Sequence, residues 1–160
     1  AQSVGLREVV GRVRSALARP LAGHDLVVDM PRDLPRALVD PVLIGQALAN
    51  VVENAAKYGP PGGRITIGGA AAGDMVVLTV TDEGPGIPVA DRERVFDQFY
   101  RAARGDGAPS GTGLGLAIVR GFVEAHGGRV AIDAGPGGRG TAIALALPRA
   151  PASEPPEEAR

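Results

Sequence analysis

The sequence predicts an α+β fold: a mixed sheet with its helices gathered on one face, two layers around one core. Three observations carry this. Apolar residues recur at helical spacing in the stretches beginning near Leu6, Asp40 and Gly111. Short alternating runs rich in β-branched residues lie between and after them. A length of 160 residues suits one domain with one core.

The elements follow in order. Leu6, Val9, Val10, Val13 and Leu17 mark a first helix over Leu6 to Ala18. His24 to Met30 reads as a strand and Arg36 to Val39 as a short one. Asp40 is a good helix cap, and Pro41 follows in the first turn, where its missing N–H costs nothing. The second helix runs to about Tyr58. Its buried stripe is Ile44, Ala47, Leu48, Val51, Val52 and Ala55, while Gln46, Asn50, Glu53, Asn54 and Lys57 share another face. GPPGG over 59–63 ends it. Arg64 to Gly68 and Met75 to Asp82 read as antiparallel strands joined by the small-residue loop Gly69–Asp74. DEGPGIP over 82–88 stops the second strand. A short helix around Ala90–Phe96 comes next, then the aromatic segment Phe96 to Tyr100. The run Arg101 to Gly111, rich in Gly, Ala and Arg, is expected to be a mobile loop. GTGLGLAIV over 111–119 opens a third helix that ends near His126–Gly127–Gly128. Arg129–Asp133 and Thr141–Leu147 form a closing hairpin. The domain is expected to span 1–148, with 149–160 a Pro- and Glu-rich disordered tail.

Composition narrows the chemistry. The chain has no cysteine, so disulfides, thiolate metal sites and cysteine nucleophiles are excluded. A net charge of -1 supplies no global field toward nucleic acid or an anionic membrane. No apolar run reaches the roughly 20 residues of a membrane span, and no signal-peptide pattern opens the chain. The dominance of Ala, Gly, Arg, Val and Pro suggests GC-rich coding, which disfavours Asn, Lys and Tyr. Yet both asparagines of the chain, Asn50 and Asn54, its sole lysine, Lys57, and one of its 2 tyrosines, Tyr58, crowd into one helix end. Something there needs those side chains.

Three separated segments each suit one part of a nucleotide. Asn50 and Asn54, four apart, project from one helix face, and amide oxygens are hard ligands that suit Mg²⁺ alongside phosphates and water. Lys57 offers a point charge for phosphate, and Tyr58 a ring for a purine face. Asp82, at a strand end, can accept from the exocyclic amine of adenine, where guanine presents a repelling carbonyl. Gly84 and Gly86 permit close backbone approach. Gly111, Gly113 and Gly115 precede a helix whose free N–H groups favour anions. Neither a dinucleotide fingerprint nor a GxxxxGK[ST] phosphate loop is present.

The order of these segments resembles the GHKL family of ATP-binding domains, over roughly residues 1–148. Within it the sequence is similar to sensor histidine kinases. NVVENAAKYGP (50–60) resembles their asparagine box, DEGPGIP the first glycine box, VFDQFYR (95–101) the phenylalanine box and GTGLGLAIV the second glycine box. GRGTAIALALP (138–148) resembles their closing strand.

The resemblance implies a Bergerat-type sandwich, about three helices over a mixed five-stranded sheet, with ATP held between them. It implies that Asn54 coordinates Mg²⁺ and that Asn50 helps place the triphosphate. Lys57 and Arg101 would act on the phosphates. Tyr58 and Tyr100 would border the pocket, and Asp82 would read adenine beside Thr141. Gly84, Gly86, Ile87, Gly111, Thr112, Gly113, Leu114, Gly115 and Leu116 would line the remainder. Residues 101–111 would close over the nucleotide.

Hydrolytic members of this superfamily carry Glu at the position of Asn50, and an amide cannot take a proton from water at neutral pH. The expected reaction is therefore transfer of the γ-phosphoryl group to a supplied histidine, with ATP and Mg²⁺ as cofactors. The family pattern around that histidine is absent, and His24 and His126 read as structural or exposed. The acceptor is expected on a separate phosphoacceptor and dimerisation domain, with a response regulator downstream. No contact with nucleic acid or membrane is expected. The resemblance implies a cytoplasmic domain whose parent is anchored in the inner membrane. Two alternatives are an anti-sigma-type serine kinase, where Glu is expected in place of Asn50, and a non-catalytic ATP-sensing module.

Overall fold

The computed structural model describes residues 1–97 and 115–152. Its elements are β1 (Gln2–Val4), α1 (Leu6–Ala16), α2 (Ala18–Leu21), β2 (Asp25–Asp29), β3 (Ala37–Val39), α3 (Pro41–Tyr58), β4 (Arg64–Ala72), β5 (Met75–Asp82), α4 (Gly115–Ala125), β6 (Arg129–Ala134) and β7 (Thr141–Pro148). The main sheet has five strands in the order β2-β4-β5-β7-β6. The β2–β4 pair is parallel and the other pairs are antiparallel, so the sheet is mixed. α3 lies between β2 and β4 in the chain and makes the long return that a parallel pair requires.

One sheet face is apolar and covered. β5 and β7 alternate buried and half-buried residues along their length. Ile65, Ile67, Val76, Leu78, Val80, Ile143, Leu145 and Leu147 point into one core with α1, α3 and α4. α3 contributes the six-residue stripe expected of it, and α1 contributes Leu6, Val9, Val10 and Val13. Burial of each large aliphatic side chain stabilises the fold by about 1.5–3 kcal/mol, so these two stripes bind the helices to the sheet.

Several elements differ from the sequence reading. The first helix stops at Ala16 because Leu17 leaves the helical region (φ -102, ψ 24), and a single turn, α2, restarts at Ala18. β1, which the sequence did not signal, pairs with β3 in a separate two-stranded ribbon. β4 runs on to Ala72 instead of ending at Gly68. Gly and Ala have low strand propensity, so the segment reads as a loop, but ladder partners on β5 as far as Ala72↔Met75 override that. Only Gly73 and Asp74 remain to turn the chain, with Gly73 at φ 62. The helix expected over Ala90–Phe96 is two short 3-10 turns, Val89–Asp91 and Arg94–Phe96. Arg149 bridges to Ala37, and Ala150 is buried with its N–H on Arg36 O at 2.8 Å. Among the described residues no helix is long and apolar enough to cross a membrane.

Candidate functional site

The site is built from three chain ends that the fold gathers. The first is the C-terminal half of α3. Its start is fixed by Asp40, whose carboxylate accepts from Val42 N at 2.9 Å and Leu43 N at 3.2 Å, with Pro41 in the first turn. This cap and the apolar stripe set the rotation of the helix. Asn50, Glu53, Asn54 and Tyr58 consequently stand half-buried at its margin, with Lys57 exposed. Among the described residues neither asparagine amide is engaged in a hydrogen bond. Lys57 Nζ lies 3.5 Å from Glu53 Oε1, one turn back, with both side chains more than two-fifths exposed. Such a pair is worth only about 0.3–0.5 kcal/mol, so it does not hold the ammonium against a stronger anion.

The second end is the close of β5. Asp82 is 8% exposed and Thr141, its cross-strand partner on β7, is 5% exposed. They are the buried polar or charged residues among those described. A carboxylate is rarely buried without purpose, because desolvating a charge is costly. Asp82 Oδ1 accepts from Gly84 N at 2.8 Å, which turns the chain and orients the carboxylate. Glu83 Oε1 takes the N–H of Arg64 at 2.6 Å and ties the turn to the start of β4.

Two glycines bring these parts into contact. A Cβ on Gly84 would stand 2.9 Å from Tyr58 O, so the turn packs directly on the last turn of α3. Gly140 has φ +70, and a Cβ there would collide with the Asp82 carbonyl oxygen. Asp82 is thus seated between the end of α3 and the start of β7. The sequence pattern did not single out Gly140. Its signal is the Gly-Thr step at the start of β7, whose meaning depends on what lies across the sheet.

The third end is the start of α4. Gly115 and Leu116 are half-buried, and Leu116 packs against the core. The other residues expected in this region, Tyr100, Arg101, Gly111, Thr112, Gly113 and Leu114, lie outside the described residues. Ile87 is half-buried, and its carbonyl accepts from Arg92 Nε at 3.2 Å, while Arg92 also reaches Asp133 at 3.5 Å. Phe96 is buried under the Arg120 guanidinium, 5.3 Å from the ring centroid. Arg120 pairs with Glu93 and Glu124, both at 3.3 Å. His126 is part of the scaffold: Asp40 N donates to its Nε2 at 3.0 Å.

The fold is thus a mixed sheet with helices on one face, with a buried carboxylate where a capped, asparagine-bearing helix ends. The family of histidine kinase-, DNA gyrase B- and HSP90-like ATPases matches residues 39–151, and the chain belongs to it. Within that family its fold is the Bergerat-type catalytic domain of sensor histidine kinases. The adaptive-response sensory kinase SasA of Trichormus variabilis is 39% identical over 132 residues, covering 82% of this chain and 32% of that protein. The structure of the mycobacterial sensor histidine kinase MprB aligns with a TM-score of 0.81 at 36% identity, over 94% of this chain and 98% of that one. Full-length ShkA in complex with AMPPNP aligns with a TM-score of 0.81 at 28% identity, over 95% of this chain and 32% of that one. The chain spans about a third of the length of the first curated relatives it matches.

Proposed function

We propose that this domain binds Mg-ATP and donates its γ-phosphoryl group to a histidine on a separate phosphoacceptor and dimerisation domain. The observation that carries the reading is the buried carboxylate of Asp82, cross-strand from Thr141 and packed through Gly84 on the helix that bears Asn50 and Asn54. It supplies a base-reading end and a phosphate-placing end in one site.

The residues present fit a magnesium nucleotide. Among the described residues no cluster of three His, Cys, Asp or Glu stands ready to hold a cation. The Asn54 amide oxygen would therefore share the metal with phosphate oxygens and water, as Mg²⁺ prefers. Bound magnesium neutralises phosphate charge. Asn50 orients the triphosphate, and Lys57 leaves its weak pair with Glu53 for the phosphates. Asp82 accepts from the adenine amine, Thr141 lies beside it, and Tyr58, Gly84, Gly86, Ile87, Gly115 and Leu116 border the nucleotide. Tyr100, Arg101 and residues 111–114, which the resemblance assigns to the same site, lie outside the described residues. Because Asn50 cannot accept a proton from water, the domain waits for a nucleophile brought to it, and positioning supplies the rate. The parent protein would be a two-component sensor anchored in the inner membrane, with this domain in the cytoplasm and a response regulator as the later acceptor.

Titration calorimetry with Mg-ATP, Mg-GTP and ATP plus chelator tests binding. Adding a separately produced phosphoacceptor domain and labelled ATP tests transfer. Acid-labile label on histidine supports the reading. Acid-stable label on serine, or tight binding without transfer, overturns it in favour of a serine kinase or an ATP-sensing module.

A further inference from the structure

His126 joins the ends of two helices with one ring. Its Nε2 is 3.0 Å from the backbone N of Asp40, at the start of α3. Its Nδ1 is 2.7 Å from the carbonyl oxygen of Phe122, in the last turn of α4. An amide N–H can only donate and a carbonyl can only accept. The ring must therefore be neutral, with its proton on Nδ1 and a lone pair on Nε2. The ring N–H satisfies a carbonyl left over at the C-terminus of α4, while the lone pair satisfies the N–H of the residue whose carboxylate caps α3.

Because the end of α4 meets the start of α3, the two helices run in opposite directions. The far end of α3 holds Asn50 and Asn54, and α4 begins at Gly115. We infer that His126 is a positioning residue for the triphosphate: it locks α3 against α4 in one register and so sets the separation of the asparagine face from the α4 start. Asp82 and Thr141 stand on the sheet and meet α3 only where Gly84 packs on Tyr58, so the base end depends on this lock less than the asparagine face does.

The inference rests on the proposed nucleotide site, and the test separates the two. Wild type, His126→Leu and His126→Gln are titrated with Mg-ATP and with adenosine. Gln can still present an acceptor near the position of Nε2, whereas Leu cannot. The Leu variant is expected to bind Mg-ATP about tenfold more weakly, the ratio an ordinary buried hydrogen bond gives. Adenosine affinity stays within about twofold, and Gln recovers most of the Mg-ATP loss. ¹⁵N spectra of the wild-type ring at neutral pH are expected to show the Nδ1–H tautomer. Equal loss of ATP and adenosine, no loss, or no rescue by a folded Gln variant overturns the inference. So does an Nε2–H ring, a readout that holds even if the Leu variant does not fold. A wild type that binds neither ligand overturns the nucleotide site itself and the inference with it.

Discussion

At the scale of single residues the proposed site divides into a base end and a phosphate end. With Oδ1 of Asp82 held by Gly84 N–H, Asp82→Asn places an amide NH₂ where the second carboxylate oxygen stood. That group opposes the adenine amine and suits a guanine carbonyl. ATP affinity should fall about 10- to 100-fold, the worth of a hydrogen bond to a charged group, and the gap to GTP should narrow. Calorimetry with both nucleotides checks it, and an unchanged gap removes Asp82 as the reader. Asn54→Ala should abolish the advantage of Mg-ATP over ATP with chelator while leaving adenosine binding intact. Asn50, Asn54, Lys57 and Asp82 stood out in the sequence as candidates because rare residue types carry them or a turn motif marks them. The close approach of Gly140 and the partner of His126 did not, because each contact reaches an atom more than fifty residues away.

At the scale of elements α3 is the part on which the others depend. Its cap, its apolar stripe and its terminating glycine were all readable, since each is a local rule acting within a few residues. Asp40→Ala should cost about 1 kcal/mol and lower the melting temperature by about 2–4 °C in a domain of this size. Thermal unfolding followed by circular dichroism measures it; an unchanged midpoint would mean that the His126 contact alone seats the helix start. β4 shows the opposite case. Its last four residues, Gly69 to Ala72, are not strand formers, and ladder partners on β5 make them a strand. β1 is too short to carry a periodic signal, and it exists because β3 offers an edge.

At the scale of the whole molecule the nucleotide should act as a staple between the layers. A ligand that binds only the folded state stabilises it by about 2.7 kcal/mol at a hundred times its dissociation constant. Mg-ATP should therefore raise the melting temperature by about 5–10 °C, and chelator should remove most of that gain. A midpoint indifferent to Mg-ATP would place the nucleotide outside a site that spans α3, the Asp82 turn and the start of α4. The domain boundary was less legible. Arg149 and Ala150 lie in a Pro-rich stretch, yet they pair with Asp74, Ala37 and Arg36.

The sequence alone determined the fold class, the start and end of α3, the closing hairpin and the candidate residues of both ends of the proposed site. These follow from periodicity, capping and composition, which act over a few residues. Tertiary structure alone decided that Asp82 would be buried opposite Thr141, that Gly84 would press on Tyr58, that Gly140 would lie against Asp82, and that His126 would tie α4 to α3. Those contacts join positions distant in the chain, and their energy exists only once the sheet order has brought the partners together.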